Sequence, residues 1–180
     1  PQKFGSVKRV NIVRDSDSLK RNLNMYILSE NKQGRYIRAN PTLKRNLKTW
    51  LGSYKMMTDT IDILDAKVAN IGIEYKIVVM DGVDKFTALA AAQIMDIYNR
   101  RNYHIGEPFY ISEIWSVLNR SAGVLDVKDV KIVAKTGIGY SKTSFNIVQN
   151  MSPDARYLVA PMNVALEIKF PITDIKGTVV

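Results

Sequence analysis

Between Val7 and Arg14 (VKRVNIVR) β-branched residues roughly alternate with polar ones, the period of a strand. Asp15-Ser16-Asp17-Ser18 breaks the pattern as a turn, and Asn24 to Ser29 (NMYILS) reads as a second strand. So short a spacing favours an antiparallel pair. At Asn40-Pro41 the period changes. Asn is a good helix cap and Pro fits the first helical position, where its missing N–H costs nothing. Leu43, Leu47, Trp50 and Leu51 then fall on one apolar stripe, with Lys44, Arg45 and Lys48 off it, and Gly52 closes the helix. Trp50 and Trp115 sit on apolar helix faces and read as core.

Ile61-Asp62-Ile63 is a short extended piece. Asn70 to Met80 (NIGIEYKIVVM) is the strongest strand signal, with Ile71, Ile73, Tyr75, Ile77 and Val79 on one face and Asp81-Gly82 as the turn after it. Asp84 starts an Ala-rich helix to about Arg101, and Ser112 caps a shorter one closed by Gly123. Val124 to Val133 is a strand whose alternation slips near Asp129, as at a bulge. Thr136 to Lys142 is a glycine-containing turn, Phe145 to Val148 a short strand, and Val164 to Phe170 a final strand. Beyond Pro171 the apolar density falls, which predicts a flexible tail. The order predicts an α+β fold of antiparallel or mixed sheets with helices packed on one side. It divides into a basic β-β-α subdomain over residues 1–60, an α+β subdomain over 61–170 and a tail over 171–180.

Composition narrows the chemistry. Of 180 residues none is Cys and one is His, so thiol catalysis, disulfides and multi-histidine metal sites are excluded within this sequence. No apolar run approaches the roughly 18 residues that span a bilayer. There is no secretory apolar region at the start. The chain begins at Pro1 without Met, as a piece of a longer polypeptide would. Of the net charge of +9, residues 1–55 hold 13 Lys/Arg against Asp15, Asp17 and Glu30, a local excess of +10. A basic third of this kind suits an acidic protein partner, a nucleic acid or plain solvation.

Each candidate chemical motif has a plainer reading. Thr136 to Ser144 (TGIGYSKTS) lacks the glycine spacing of a phosphate loop and fits a turn. Asp15 and Asp17 follow a strand but are separated from its end by Arg14, and they also fail the calcium-loop spacing. Asp59, Asp62 and Asp65 alternate with Ile61 and Ile63, which favours an extended edge with outward acids over a cation site. His104 lies in a polar loop with no nucleophile or orienting acid in reach of the pattern. Tyr26, Tyr36 and Tyr54 accompany the basic third, where aromatics could stack on bases; Tyr26 falls inside a strand pattern. A nucleic-acid-binding module using these basic residues is the alternative function, and no cofactor or metal is expected.

Taken in order, the segments resemble a known family. Leu43 to Met80 (LKRNLKTWLGSYKMMTDTIDILDAKVANIGIEYKIVVM) resembles the baseplate J-like family of contractile-tailed phages, in which a helix leads through a short extended piece into a long strand. The Ala-rich stretch from Asp84 to Arg101 fits next, followed by Ile105 to Ile132 with Ser112, Ile114, Leu118, Gly123, Val124 and Val127 at the family's positions. The opening FGSVKRVNIVRDSDSLKRNLNMYILSENKQG is similar to the large baseplate wedge subunits of T-even-like phages, and the chain looks like their C-terminal part. The likeness runs from about Phe4 to Phe170. It implies a non-enzymatic component of the virion tail baseplate, assembled in the host cytoplasm. Such subunits self-associate, here as a homodimer, and bind other wedge proteins to form a ring around the hub. It carries no active site to transfer. The residues expected to meet a partner are Lys44, Arg45, Lys48 and Lys55.

Overall fold

The computed structural model describes residues 6–16, 22–56, 58–85, 89 and 103–180. It has an α+β fold with mixed sheets. The chain forms two compact units. The first takes Pro1–Val68 with His104–Gly106 and Pro161–Ala165; the second takes Ala69–Tyr103, Glu107–Ala160 and Leu166–Val180. Where the sequence suggested a division near residue 60, the units divide at Val68/Ala69 and two later segments return to the first.

In the first unit β1 (Arg9–Arg14) pairs antiparallel with β2 (Asn22–Glu30), in register from Arg9 opposite Leu28 to Arg14 opposite Leu23. At its far end β2 also pairs with the short β3 (Tyr36–Ile37). Helix α1 (Pro41–Gly52) begins and ends where its sequence signals lie. The Asn40 side chain accepts a hydrogen bond from the Thr42 N–H at 2.9 Å, and Pro41 occupies the first turn. The helix returns the chain to β4 (Thr60–Asp65), which lies parallel to β2, Asn22 opposite Thr60 through Ile27 opposite Asp65. A parallel neighbour demands such a crossover.

β2 is covered on both faces. Met25 and Ile27 pack with Leu43 and Ala39, and Leu47, Leu51, Ile61 and Ile63 lie partly buried around them. Leu28 on the opposite face packs with Tyr36, Ala66, Ile105 and Ala165. Trp50, expected in the core, is 47% exposed. It sits on the rim of the stripe, and Leu43, Leu47 and Leu51 already fill the space over the sheet.

In the second unit β5 (Lys67–Val79) is the spine. It pairs antiparallel with β7 (Val124–Ala134), parallel with β10 (Ile175–Val179), and with β9 (Val164–Glu167). Ile71, Ile73 and Ile77 have no exposed surface. The irregularity expected near Asp129 is present. Lys76 faces Asp129 while Ile77 faces Val127, so Lys128 is the extra residue. Between β6 (Phe109–Tyr110) and β7 runs helix α2 (Ile111–Arg120), which buries Ile111, Ile114 and Leu118. It starts one residue before Ser112, with Tyr110 at the cap and no side-chain cap bond; Trp115 is only partly buried. β6 pairs with β8 (Tyr157–Leu158). The helix expected from Asp84 to Arg101 lies outside the described residues, apart from Asp84, Lys85 and Leu89.

Three expectations near the C-terminus are corrected. Phe145 to Val148 is not a strand: α3 (Ile147–Asn150) forms there, because the Asn146 side chain accepts from the Gln149 N–H and nucleates a helical turn. β9 ends at Glu167, short of Phe170. Residues 171–180 form a helical turn, α4 (Pro171–Asp174), and then strand β10 beside β5, in place of a flexible tail. Falling apolar density misleads there because β10 is held by backbone pairing and by one aromatic cover. Gly177 lies opposite Tyr75, and a Cβ at Gly177 would come within 2.5 Å of the Tyr75 ring.

Replacing Gly177 with Val should therefore lower stability by about 1–3 kcal/mol despite the better strand propensity of Val. Gly52→Ala, where an added Cβ meets nothing within 4 Å, should not destabilise. Urea unfolding of the two variants checks both; an unchanged midpoint for Gly177→Val would mean that the tyrosine ring does not lie over β10.

Candidate interaction surface

The four basic residues singled out from the sequence lie on or just after α1. Three are held by internal acceptors. Lys44 Nζ lies 2.7 Å from the Asp65 carboxylate, Lys48 Nζ 3.3 Å from Asp62, and Lys55 Nζ donates to the Asp59 carbonyl at 2.8 Å. Asp65 has the strand parity of Ile61 and Ile63, which pack with α1, and meets the half-covered Lys44; Asp62 has the opposite parity and meets the more exposed Lys48. Lys44, expected to face water or a partner, is partly buried, with 24% of its side chain exposed. Lys48 keeps 64% and Arg45 is exposed, so these two remain accessible to a partner.

Asn22, at the start of β2, organises the acids. Its amide donates to Asp15 at 3.3 Å and to Asp62 at 3.2 Å, and its carbonyl oxygen accepts from the Thr60 hydroxyl at 2.8 Å. The hydrogen bond from Asn22, then that from Lys48, holds the Asp62 carboxyl below the usual carboxylate range. Asn22, Lys48, Leu51, Lys55, Thr60 and Asp62 line a cleft of about 340 Å³. The three aspartates spaced along Asp59 to Asp65 thus serve as acceptors for lysines and asparagine. Among the described residues no group of three or more acidic or histidine side chains is placed to hold a metal ion.

The aromatic residues of the basic third separate. Tyr36 is buried and Tyr26 packs against the same cluster, so neither offers a ring to a ligand. Tyr54, 72% exposed, lies against Trp50 with ring centroids 4.8 Å apart, and Met56 beyond it is exposed as well. The signal for this pair was available in the sequence as i, i+4 spacing, but the apolar stripe drew Trp50 into the core reading.

In the second unit a buried polar network escaped sequence reasoning. Asp174 has no exposed surface. Its carboxylate accepts from the Tyr140 hydroxyl at 2.5 Å and from the Phe170 N–H at 2.9 Å. The bond to Asp174, then burial, raises the Tyr140 hydroxyl above its ordinary pKa. Asn70 donates to Glu167 at 2.8 Å and accepts from the Ser141 N–H at 2.7 Å. The Thr136–Ser144 stretch is thus a turn clamped to β5 and to the chain end, with Gly137 and Gly139 at positive φ. Of the other residues considered, His104 is exposed, Asp15 belongs to the Asn22 cluster, and Asp17 lies outside the described residues.

No known family profile matches the chain, and no curated protein matches it. Among solved structures it is similar to a chain of the cryo-EM structure of the anti-feeding prophage (AFP) baseplate, 6-fold symmetrised, at 13% identity and a TM-score of 0.49. The likeness covers 92% of this chain and 33% of that one, so the chain spans about a third of its neighbour's length. No described helix is long and apolar enough to cross a membrane.

The depressed Asp62 pKa fixes a sign for pH dependence. A carboxyl with a folded pKa below the ordinary value of 3.8 contributes stability above that value, and loses it as pH falls through the lower folded one. Asp62→Asn should remove that part of the acid dependence and leave the rest. Carbon-13 titration of the carboxyl checks it: the Asp62 midpoint should fall below 3.8, and a midpoint at or above it would refute the Asn22–Lys48 cluster.

Proposed function

We propose that the chain is a structural component of a contractile phage-tail baseplate, a wedge subunit of the J-like kind. In this reading it has no enzymatic activity. It forms homodimers, binds other wedge proteins and closes with them into a ring around the hub. It belongs to the virion and assembles in the host cytoplasm.

The observation that supports this reading is the run from Leu43 to Met80. Its resemblance implies a helix, a short extended piece and a long strand, and the chain forms Pro41–Gly52, Thr60–Asp65 and Lys67–Val79 in that order. The surface is also suited to assembly. Trp50, Tyr54 and Met56 stand exposed, as does Arg45, and aromatic residues, Met and Arg are enriched at protein interfaces. In a ring, a neighbour's acidic surface would meet the basic third and set register more than affinity.

Sedimentation velocity of the purified chain at micromolar concentration should show species larger than a monomer. Added wedge proteins from the same tail should co-sediment with it. A strict monomer that binds none of them would contradict the assembly role.

A further inference from the structure

Helix α1 covers β2 and β4 but leaves β1 bare on the same face of the sheet. Register puts Val10 opposite Ile27 and Ile12 opposite Met25, and both partners are buried under the helix. Val10 and Ile12 themselves are 48% and 51% exposed. The ion pairs of the helix mark its orientation. Lys44 and Lys48 turn one flank towards β4, so the opposite flank, with Asn46 and Trp50, turns towards β1. Val10 and Ile12 thus form an uncovered strip on β1, beside the helix flank that carries Trp50. Along its outer side, no strand pairs with β1 among the described residues.

We propose that this strip and the open edge beside it receive an extended acidic segment of another protein, which adds to the sheet as a strand beside β1. Its alternate apolar side chains cover Val10, Ile12 and Trp50, and its acidic residues meet Arg14 and the surrounding basic surface. The proposal deepens the assembly role and rests on it for the partner being a protein. Three observations converge on it. An open strand edge supplies backbone donors and acceptors to an incoming strand. Two exposed β-branched side chains stand beside that edge, where a strand in a folded sheet would meet a cross-strand neighbour. The sign of the charge selects the occupant. With an excess of +10 over residues 1–55, a second copy of this surface would repel the first, and an acidic chain is attracted.

The test titrates the full chain with a blocked peptide of about ten alternating Glu and Val residues, followed by tryptophan fluorescence. Binding should appear at micromolar concentration and weaken about tenfold or more on raising salt from low to high. A Val10→Thr/Ile12→Thr double variant, changed only at exposed positions and without added charge, should keep its thermal melt and lose at least about tenfold in affinity. Leu125→Thr, exposed in the second unit, should bind as the parent does.

Absence of binding, or equal binding by a Glu block peptide or by single-stranded oligothymidine, would overturn the proposal and leave only a charged surface. Loss of self-association in the double variant would overturn it in favour of a second copy. These failures stay distinct from failure of the assembly role, since co-sedimentation with wedge proteins does not require this edge.

Discussion

Ile27 and Leu28 are consecutive residues of one strand, and neither exposes any surface. Neighbours in a strand point to opposite faces, so β2 has to be covered on both sides. The rest of the first unit follows from that demand. One cover is α1, placed by the crossover between parallel β2 and β4. The other is made from segments far along the chain, His104–Gly106 and Pro161–Ala165, with Ile105 and Ala165 against Leu28. A single helix is about 10 Å wide and spans about two strands. It protects β2 and β4 and leaves β1 uncovered. The exposed apolar positions of β1 are thus a consequence of how the core is closed.

The second unit solves its closure differently. Its spine, β5, pairs on both sides, and the last residues of the chain supply one partner. Short strands with few apolar residues stay in place only if their ends are tied. Here the ties are polar and buried: Tyr140 and the Phe170 N–H on Asp174, and Asn70 between Ser141 and Glu167. Groups buried this deeply are tolerated because their partners are present. A close approach completes the arrangement, for at Gly72 an added Cβ would lie 2.7 Å from the Asp174 carbonyl.

Much of this was legible in the sequence where one local signal dominates. Asn40-Pro41 and Gly52 bound a helix because capping chemistry is local, and β5 stands out because its apolar face persists over more than ten residues. Even the slip near Asp129 registers as a bulge. What failed depended on distant neighbours. Trp50 belongs to the apolar stripe by spacing, yet Leu43, Leu47 and Leu51 alone fill the space beneath the helix. Residues 175–179 alternate but carry only Ile175 and Val179 as apolar signals, and their pairing with β5 is set by residues about a hundred positions earlier. Of the basic candidates, Lys44 had its neighbour Asp65 in the sequence, but only the parallel β2–β4 register brings the two together.

Function in this account lies on what the cores leave uncovered: a basic surface, an aromatic pair and the outer edge of β1. The claim that β1 is an available edge is open to direct measurement by amide hydrogen exchange in the isolated chain, resolved residue by residue. Across Arg9–Arg14 protected and fast-exchanging amides should alternate, since only every second N–H points into the sheet, while Met25, Ile27 and Leu28 of β2 exchange slowly throughout. Uniform slow exchange along β1, equal to that of β2, would show the edge already occupied and would contradict the account.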